Sequence, residues 1–173
     1  MRQIIQLKIR TIVNVLFFLC LLPKSSFGLS SDQYLPYYVR AHSIIYKRKL
    51  HLTIYRGDVH ATQGTSTLSG DQVVLYNSTT NHDIQRVVAT GHPAHYATLP
   101  DHQQDRLLAQ AETIEYYPKT NQVLLLIKAR VTQHENVFTG PHIWYDIKNQ
   151  TVVATNPRGN SHTTIVIEPQ NKH

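Results

Sequence analysis

The groups in this 173-residue chain with the chemistry for catalysis or metal binding are eleven histidines and eleven acidic side chains. His92 and His95 form the tightest histidine pair, on a turn reading His-Pro-Ala-His, but no second cluster supplies the other ligands of a metal site. Asp83, Asp101, Asp105, Glu112, Glu115, Glu135, Asp146 and Glu168 are dispersed, without the sequence pairing that would suggest a glycosidase. The chain has no Gly-x-Ser-x-Gly elbow, no phosphate loop ending in Gly-Lys-Ser or Gly-Lys-Thr and no His-Glu-x-x-His. Its one cysteine, Cys20, lies in an N-terminal apolar run. The sequence thus predicts no enzyme, no metal and no cofactor. Ten tyrosines are more suggestive, because Tyr37, Tyr46, Tyr96, Tyr116 and Tyr145 are flanked by apolar residues. They read either as core and edge packing with hydroxyls at the rim, or as a groove wall for an amphiphile.

The elements that must position these side chains are strands. Tyr37, Val39 and Ala41 share one face at period two after Pro36, and 50–54, 59–63, 72–76, 87–89, 123–131, 152–154 and 165–167 continue in runs rich in Val, Ile, Thr and Tyr. Between them Arg56-Gly57-Asp58, Ser69-Gly70-Asp71, Asn77 to Asp83, Gly91-His92-Pro93, Pro118 to Asn121, Gly140-Pro141 and Asn156 to Gly159 read as turns. Short strands at this spacing predict an all-β sandwich, barrel or roll. Asp105 to Glu115 carries a helical pattern through Leu107, Ala111 and Ile114, but it is read as strand because a repeat covers it.

That repeat has an offset of seventy. Thr62-Gln63 returns as Thr132-Gln133, Leu68 and Gly70 as Phe138 and Gly140, and Ala41, Ile44, Tyr46 and Lys49 as Ala111, Ile114, Tyr116 and Lys119. An even offset keeps a residue and its copy on the same strand face, so Ile54/Leu124 and Ala61/Val131 become equivalent positions. Within the first copy Val59, Ala61 and Gln63 share a face opposite His60 and Thr62. A stack of such units leaves open edges at both ends, ready for strand addition by a similar protein.

Residues 1–28 read as a cleaved secretory signal peptide: Arg2, Lys8 and Arg10 precede the apolar run Thr11 to Leu22, and Ser26-Phe27-Gly28 offers small residues for cleavage. Four of the seventeen basic residues (Arg2, Lys8, Arg10 and Lys24) leave with it and none of the acids, so the formal charge falls from +6 to +2. With no basic stripe interleaved with aromatics, nucleic acid is not an expected partner. Residues 29–35 read as a flexible N-terminus, 36–169 as one β domain and 170–173 as a tail.

Pro36-x-x-Val39-x-Ala41, Tyr55 to Gly64, Val88-Ala89-Thr90-Gly91-His92-Pro93-Ala94, Ala111-x-x-Ile114-x-Tyr116, Ala129-x-Val131-Thr132-Gln133, Gly140-x-x-Ile143-x-Tyr145 and Val166-Ile167-Glu168-Pro169 occur in an order that resembles the LptA family of OstA-like periplasmic lipopolysaccharide-transport proteins. The resemblance runs from Pro36 to Pro169. Two positions depart from the family pattern: His42 stands where an acid is usual, and Ile127 where a glycine opens the second core repeat, which argues against the second turn having the tight geometry that Gly57 would allow. The resemblance implies an elongated, open antiparallel β-jellyroll whose apolar interior shelters the lipid A acyl chains of lipopolysaccharide in the periplasm. It further implies inner-membrane LptC-like and outer-membrane LptD-like partners and end-to-end homo-oligomers. It carries over Tyr37, Val39, Tyr96 and Tyr116 as lining positions, and the repeat adds Ile54, Ala61, Leu124 and Val131. Two alternatives stay open: an LptC-like scaffold that keeps residues 1–28 as an anchor, and a carbohydrate-binding β-roll with two carboxylates converging in a cleft.

Overall fold

The computed structural model describes residues 32, 35–81, 83–99, 106–156, 159 and 162–167. The expected leader 1–28 and tail 170–173 lie outside the described residues, as does 29–35 apart from Asp32 and Leu35. Val, Ile, Thr and Tyr at alternating positions form ten strands: β1 Tyr38–Arg40, β2 Ser43–Lys47, β3 Leu52–Gln63, β4 Ser66–Asn77, β5 Ile84–Thr98, β6 Leu107–Tyr117, β7 Gln122–Gln133, β8 Asn136–Asp146, β9 Thr151–Thr155 and β10 Thr164–Val166. They pair antiparallel in one sheet, in the order β3-β4-β5-β6-β7-β8, with β1 and β2 both on the outer side of β3 and β9 and β10 both on the outer side of β8. The segment with the helical pattern is strand β6.

The repeat is visible in the register. β7 is β3 moved by seventy residues, and Leu52↔Tyr76 and Gln63↔Ser66 recur as Gln122↔Asp146 and Gln133↔Asn136. β6 corresponds to β1 and β2 joined: Tyr38↔Thr62 and Ser43↔Arg56 recur as Leu108↔Thr132 and Thr113↔Leu126.

Four stretches with turn chemistry are instead irregularities inside long strands. Gly57-Asp58, Gly70-Asp71, Gly91-His92-Pro93 and Gly140-Pro141 fall where the register shifts between β3 and β4, β4 and β5, β5 and β6, and β7 and β8. A fifth shift, between β6 and β7, lies at the same level of the sheet. A glycine in a strand interior serves a bulge as well as it serves a turn, and here it lets the chain bend without leaving the ladder.

These bulges fold the sheet over itself. On one side of the line Tyr55, Val73, Ala89, Ile114, Leu125 and Ile143 are lateral partners in a row. On the other side Val39, Ala61, Leu68, Tyr96, Ala109, Val131 and Phe138 form a second row. Both rows belong to one buried core with its packed margin, and the rings of Tyr96 and Tyr116, from opposite sides of the line, stack at 6.4 Å. The result is the expected all-β, open antiparallel roll, with a single sheet providing both walls.

The expectation for Ile127 is overturned. Gly57 and Asp58 have φ of +79° and +45°, and Ile127 and Lys128 take the same left-handed pair at +65° and +54°. At Gly57 an added Cβ would also lie 2.5 Å from His42 Nδ1, so both the positive φ and the packing of His42 favour glycine there. In the second copy Glu112 replaces His42 and bonds Lys128 Nζ at 2.6 Å, and the Ile127 side chain stands in solvent, 51% exposed. The lattice of pairing on both flanks imposes a conformation that a β-branched residue disfavours. Replacing Ile127→Gly should therefore raise unfolding stability by about 1 kcal/mol, read as a higher denaturant midpoint at unchanged slope. Gly57→Ile should lower it by more. An Ile127→Gly protein no more stable than the parent would show that this bulge carries no strain.

Candidate functional site

Where the two rows meet near the β1 end of the roll, an apolar cavity of about 40 Å³ is lined by Tyr37, Val39, Ala61, Thr62, Gln63, Ser66, Thr67, Leu68, Leu75, Val87, Tyr96 and Tyr116. β1, β3, β4 and β5 supply one wall through Val39, Ala61, Leu68 and Tyr96; β4, β5 and β6 supply the other through Leu75, Val87 and Tyr116. None of the lining residues carries a carboxylate.

The polar groups gather at one rim and are bonded to one another. Gln63, buried at the end of β3, donates from Nε2 to the Leu35 carbonyl at 3.1 Å and also bonds the Tyr37 hydroxyl. Ser66 Oγ and Thr98 Oγ1 are 2.8 Å apart, and both bond the Tyr96 hydroxyl. Just outside, the Asp32 carboxylate accepts from the Thr65 amide at 2.7 Å and its hydroxyl at 2.6 Å.

The residues expected to line a trough fall into three groups. Tyr37, Val39, Ala61, Tyr96 and Tyr116 come together around this cavity. Val131 faces the same way but is fully buried in the core beside it. Ile54 and Leu124 are a correction: they lie in the row Ile45-Ile54-Val74-Val88-Glu115-Leu124-Trp144-Val153, on the outer face of the sheet. Their neighbours Tyr55 and Leu125 point inward instead. The repeat correctly made Ile54 and Leu124 equivalent to each other, but strand alternation puts them opposite Ala61 and Val131.

Leu68, Leu75 and Val87 line the cavity and are not among the lining positions expected from sequence, although the repeat pairs Leu68 with Phe138. On β4, Leu68 and Val73 both face inward although five residues apart, because the irregularity at Gly70-Asp71 resets the alternation. The signal was the glycine between two apolar runs.

The outer face carries its own polar network: Tyr117 donates to Glu115 Oε2 at 2.5 Å, Arg86 Nη1 lies 3.4 Å from the same oxygen, and the Arg86 guanidinium sits 4.4 Å over the Tyr76 ring. His92 Nδ1 pairs with Asp71 Oδ2 at 2.8 Å in the open, so it turns to an acid and not to His95. Among the described residues no three His, Cys, Asp or Glu gather in the manner of a metal site.

Burial raises the pKa of Tyr116 and Tyr96 above the ordinary 10.0, with the Ser66 and Thr98 hydrogen bonds opposing the rise at Tyr96; burial likewise raises Tyr145. A phenol whose folded pKa is raised contributes stability in full below its unfolded pKa and loses it as pH climbs toward the folded value. The denaturant midpoint should therefore show no tyrosine-linked loss up to about pH 10 and fall above it. Tyr116→Phe should shallow that fall, with tyrosinate absorbance measured alongside; an unchanged slope would mean that Tyr116 ionises in the folded protein without cost.

The family model described as LptA/(LptD N-terminal domain) LPS transport protein matches residues 38–151. The lipopolysaccharide export system protein LptH of Pseudomonas aeruginosa is 36% identical over 151 residues, covering 84% of this chain and 86% of that protein. The crystal structure of LptH, described as the LptA-homologous periplasmic component of the conserved lipopolysaccharide transport device of that organism, matches with a TM-score of 0.74 at 34% identity, over 80% of this chain and 99% of the other. Sequence, register and fold agree, and this chain belongs to the LptA/(LptD N-terminal domain) family of lipopolysaccharide-transport proteins.

Proposed function

We propose that this protein is a periplasmic carrier or bridge in lipopolysaccharide export, shielding lipid A acyl chains inside its folded sheet while the sugar part stays in water. The observation that carries this reading is the apolar cavity between the two walls of the roll, with Tyr37, Val39, Ala61, Tyr96 and Tyr116 around it and a polar rim at one end. Apolar lining offers the acyl chains favourable transfer from water, and the absence of a carboxylate in it disfavours the carbohydrate-cleft alternative.

The leader at residues 1–28 directs export and is removed. Partners are an LptC-like component at the inner membrane, an LptD-like one at the outer membrane, and further copies of this chain joined end to end. The ends of the sheet support such joining: Ile44 and Tyr46 on β2 are 60% exposed, and Val153 on β9 and Ile165 on β10 about half exposed. Apolar strands at open edges are templates for a further strand.

A photo-crosslinking residue placed at Tyr96 or Tyr116 should capture lipopolysaccharide in cells, and the same residue at Ile54 or Leu124 should not. Adducts at the outer pair alone would put the lipid on the wrong face of the sheet and overturn this reading. N-terminal sequencing of the exported protein should start at Leu29; a start at Met1 would favour the anchored scaffold.

A further inference from the structure

We infer that Tyr145 holds a polar atom of the bound chain, a hydroxyl or ester oxygen carried on the acyl group, and so makes the interior selective for oxygen-bearing chains over plain ones. This rests on the lipid-shielding reading above and adds a recognition element to it.

Tyr145, on β8, is 1% exposed, and its hydroxyl has no hydrogen-bond partner among the described residues. Two other buried polar side chains beside the interior, Gln63 and Tyr96, are matched within the protein: Gln63 with Leu35 and Tyr37, and Tyr96 with Ser66 and Thr98. A buried phenol that bonds nothing is costly, and such groups are rare unless something else satisfies them. Packing alone does not demand the hydroxyl, since phenylalanine fills nearly the same space.

The position is also the right one. Tyr145 stands in the inward row Leu75-Val87-Tyr116-Val123-Tyr145, whose first three members line the cavity. A chain that enters past Tyr116 and runs along the axis of the roll meets Tyr145 after two strand spacings, about 10 Å. In the first repeat the equivalent residue is Leu75, which has nothing to offer an oxygen. A phenol both donates and accepts, so it suits a chain hydroxyl or an ester carbonyl. A site built to hydrogen-bond a ligand oxygen rejects the analogue lacking it, because the phenol is then left unpaired.

The test compares the full exported protein with Tyr145→Phe, using three probes: a long-chain saturated fatty acid, its β-hydroxy derivative and its β-acetoxy derivative, each displacing a fluorescent fatty acid. The parent should hold at least one oxygen-bearing probe about tenfold more tightly than the plain acid. Tyr145→Phe should lose that preference, keep its affinity for the plain acid, and melt at the same temperature or higher. Equal affinities of the parent for all three probes would overturn the role of Tyr145 and leave the lipid-shielding reading intact. A lower melting temperature for Tyr145→Phe would also overturn it, by showing the hydroxyl to be satisfied in the free protein. Failure of every probe to bind either protein would remove the shielding reading and this inference together.

Discussion

The whole arrangement depends on a line of backbone irregularities crossing the sheet from Gly57-Asp58 on β3 to Gly140-Pro141 on β8. A sheet with one apolar face must cover it, and a single long sheet with no partner layer can do so only by folding over. The bulges make the fold, and they also reset which residues point inward, so that Leu68 and Val73 on one strand, or Ala111 and Ile114 on another, both reach the core. Without the reset one half of each of these strands would turn its apolar residues outward. The bulge line is thus the hinge of the roll and the reason its interior is continuous.

The duplication explains how the line is kept. Each copy brings a strand with two consecutive left-handed residues, Gly57-Asp58 and then Ile127-Lys128, and the flanking partner presents His42 in one case and Glu112 in the other. The residues at the bulge have diverged while its geometry has not. Asp58 and Lys128 have opposite charge, and each finds its own counterpart, His60 at 3.0 Å and Glu112 at 2.6 Å. These pairs are exposed and contribute little to stability; pairing on both sides of β3 and β7 fixes the backbone.

Much of this was legible in the sequence. Alternation marked the strands, and an even offset of seventy anticipated that β7 would repeat β3 in both register and face, which also settled Asp105 to Glu115 as strand from Leu107 onward. The length of the strands was not legible, because a glycine flanked by polar residues has the same local chemistry in a turn as in a bulge. Face was misjudged at two of the expected lining positions. Tyr37, Val39, Tyr96 and Tyr116 came from motifs and meet at the cavity; of the four that the repeat added, Ala61 joins them and Val131 is buried beside them, whereas Ile54 and Leu124 lie in the outer row. Apolar character does not distinguish the faces of this sheet, since the outer row also runs Ile45-Ile54-Val74-Val88.

A carrier has to let go, and the size of the interior bears on how. At about 0.8 kcal/mol per buried methylene, complete burial of one chain of about 12 carbons is worth roughly 10 kcal/mol, and several chains held so well would not leave. The cavity between the walls is about 40 Å³, room for about three waters and too small for a whole acyl chain. On the lipid-shielding reading an acyl chain enters as the walls part, so part of the gain from burying lipid is offset by exposing and repacking the protein's own side chains. Parting costs least beside the β1 and β2 end, where Tyr38, Ile44 and Tyr46 are already in water, and most around Leu125, Ile143 and Tyr145, which are sealed. Affinity for a chain then rises and falls along the roll with local packing, which favours partial shielding and passage over capture.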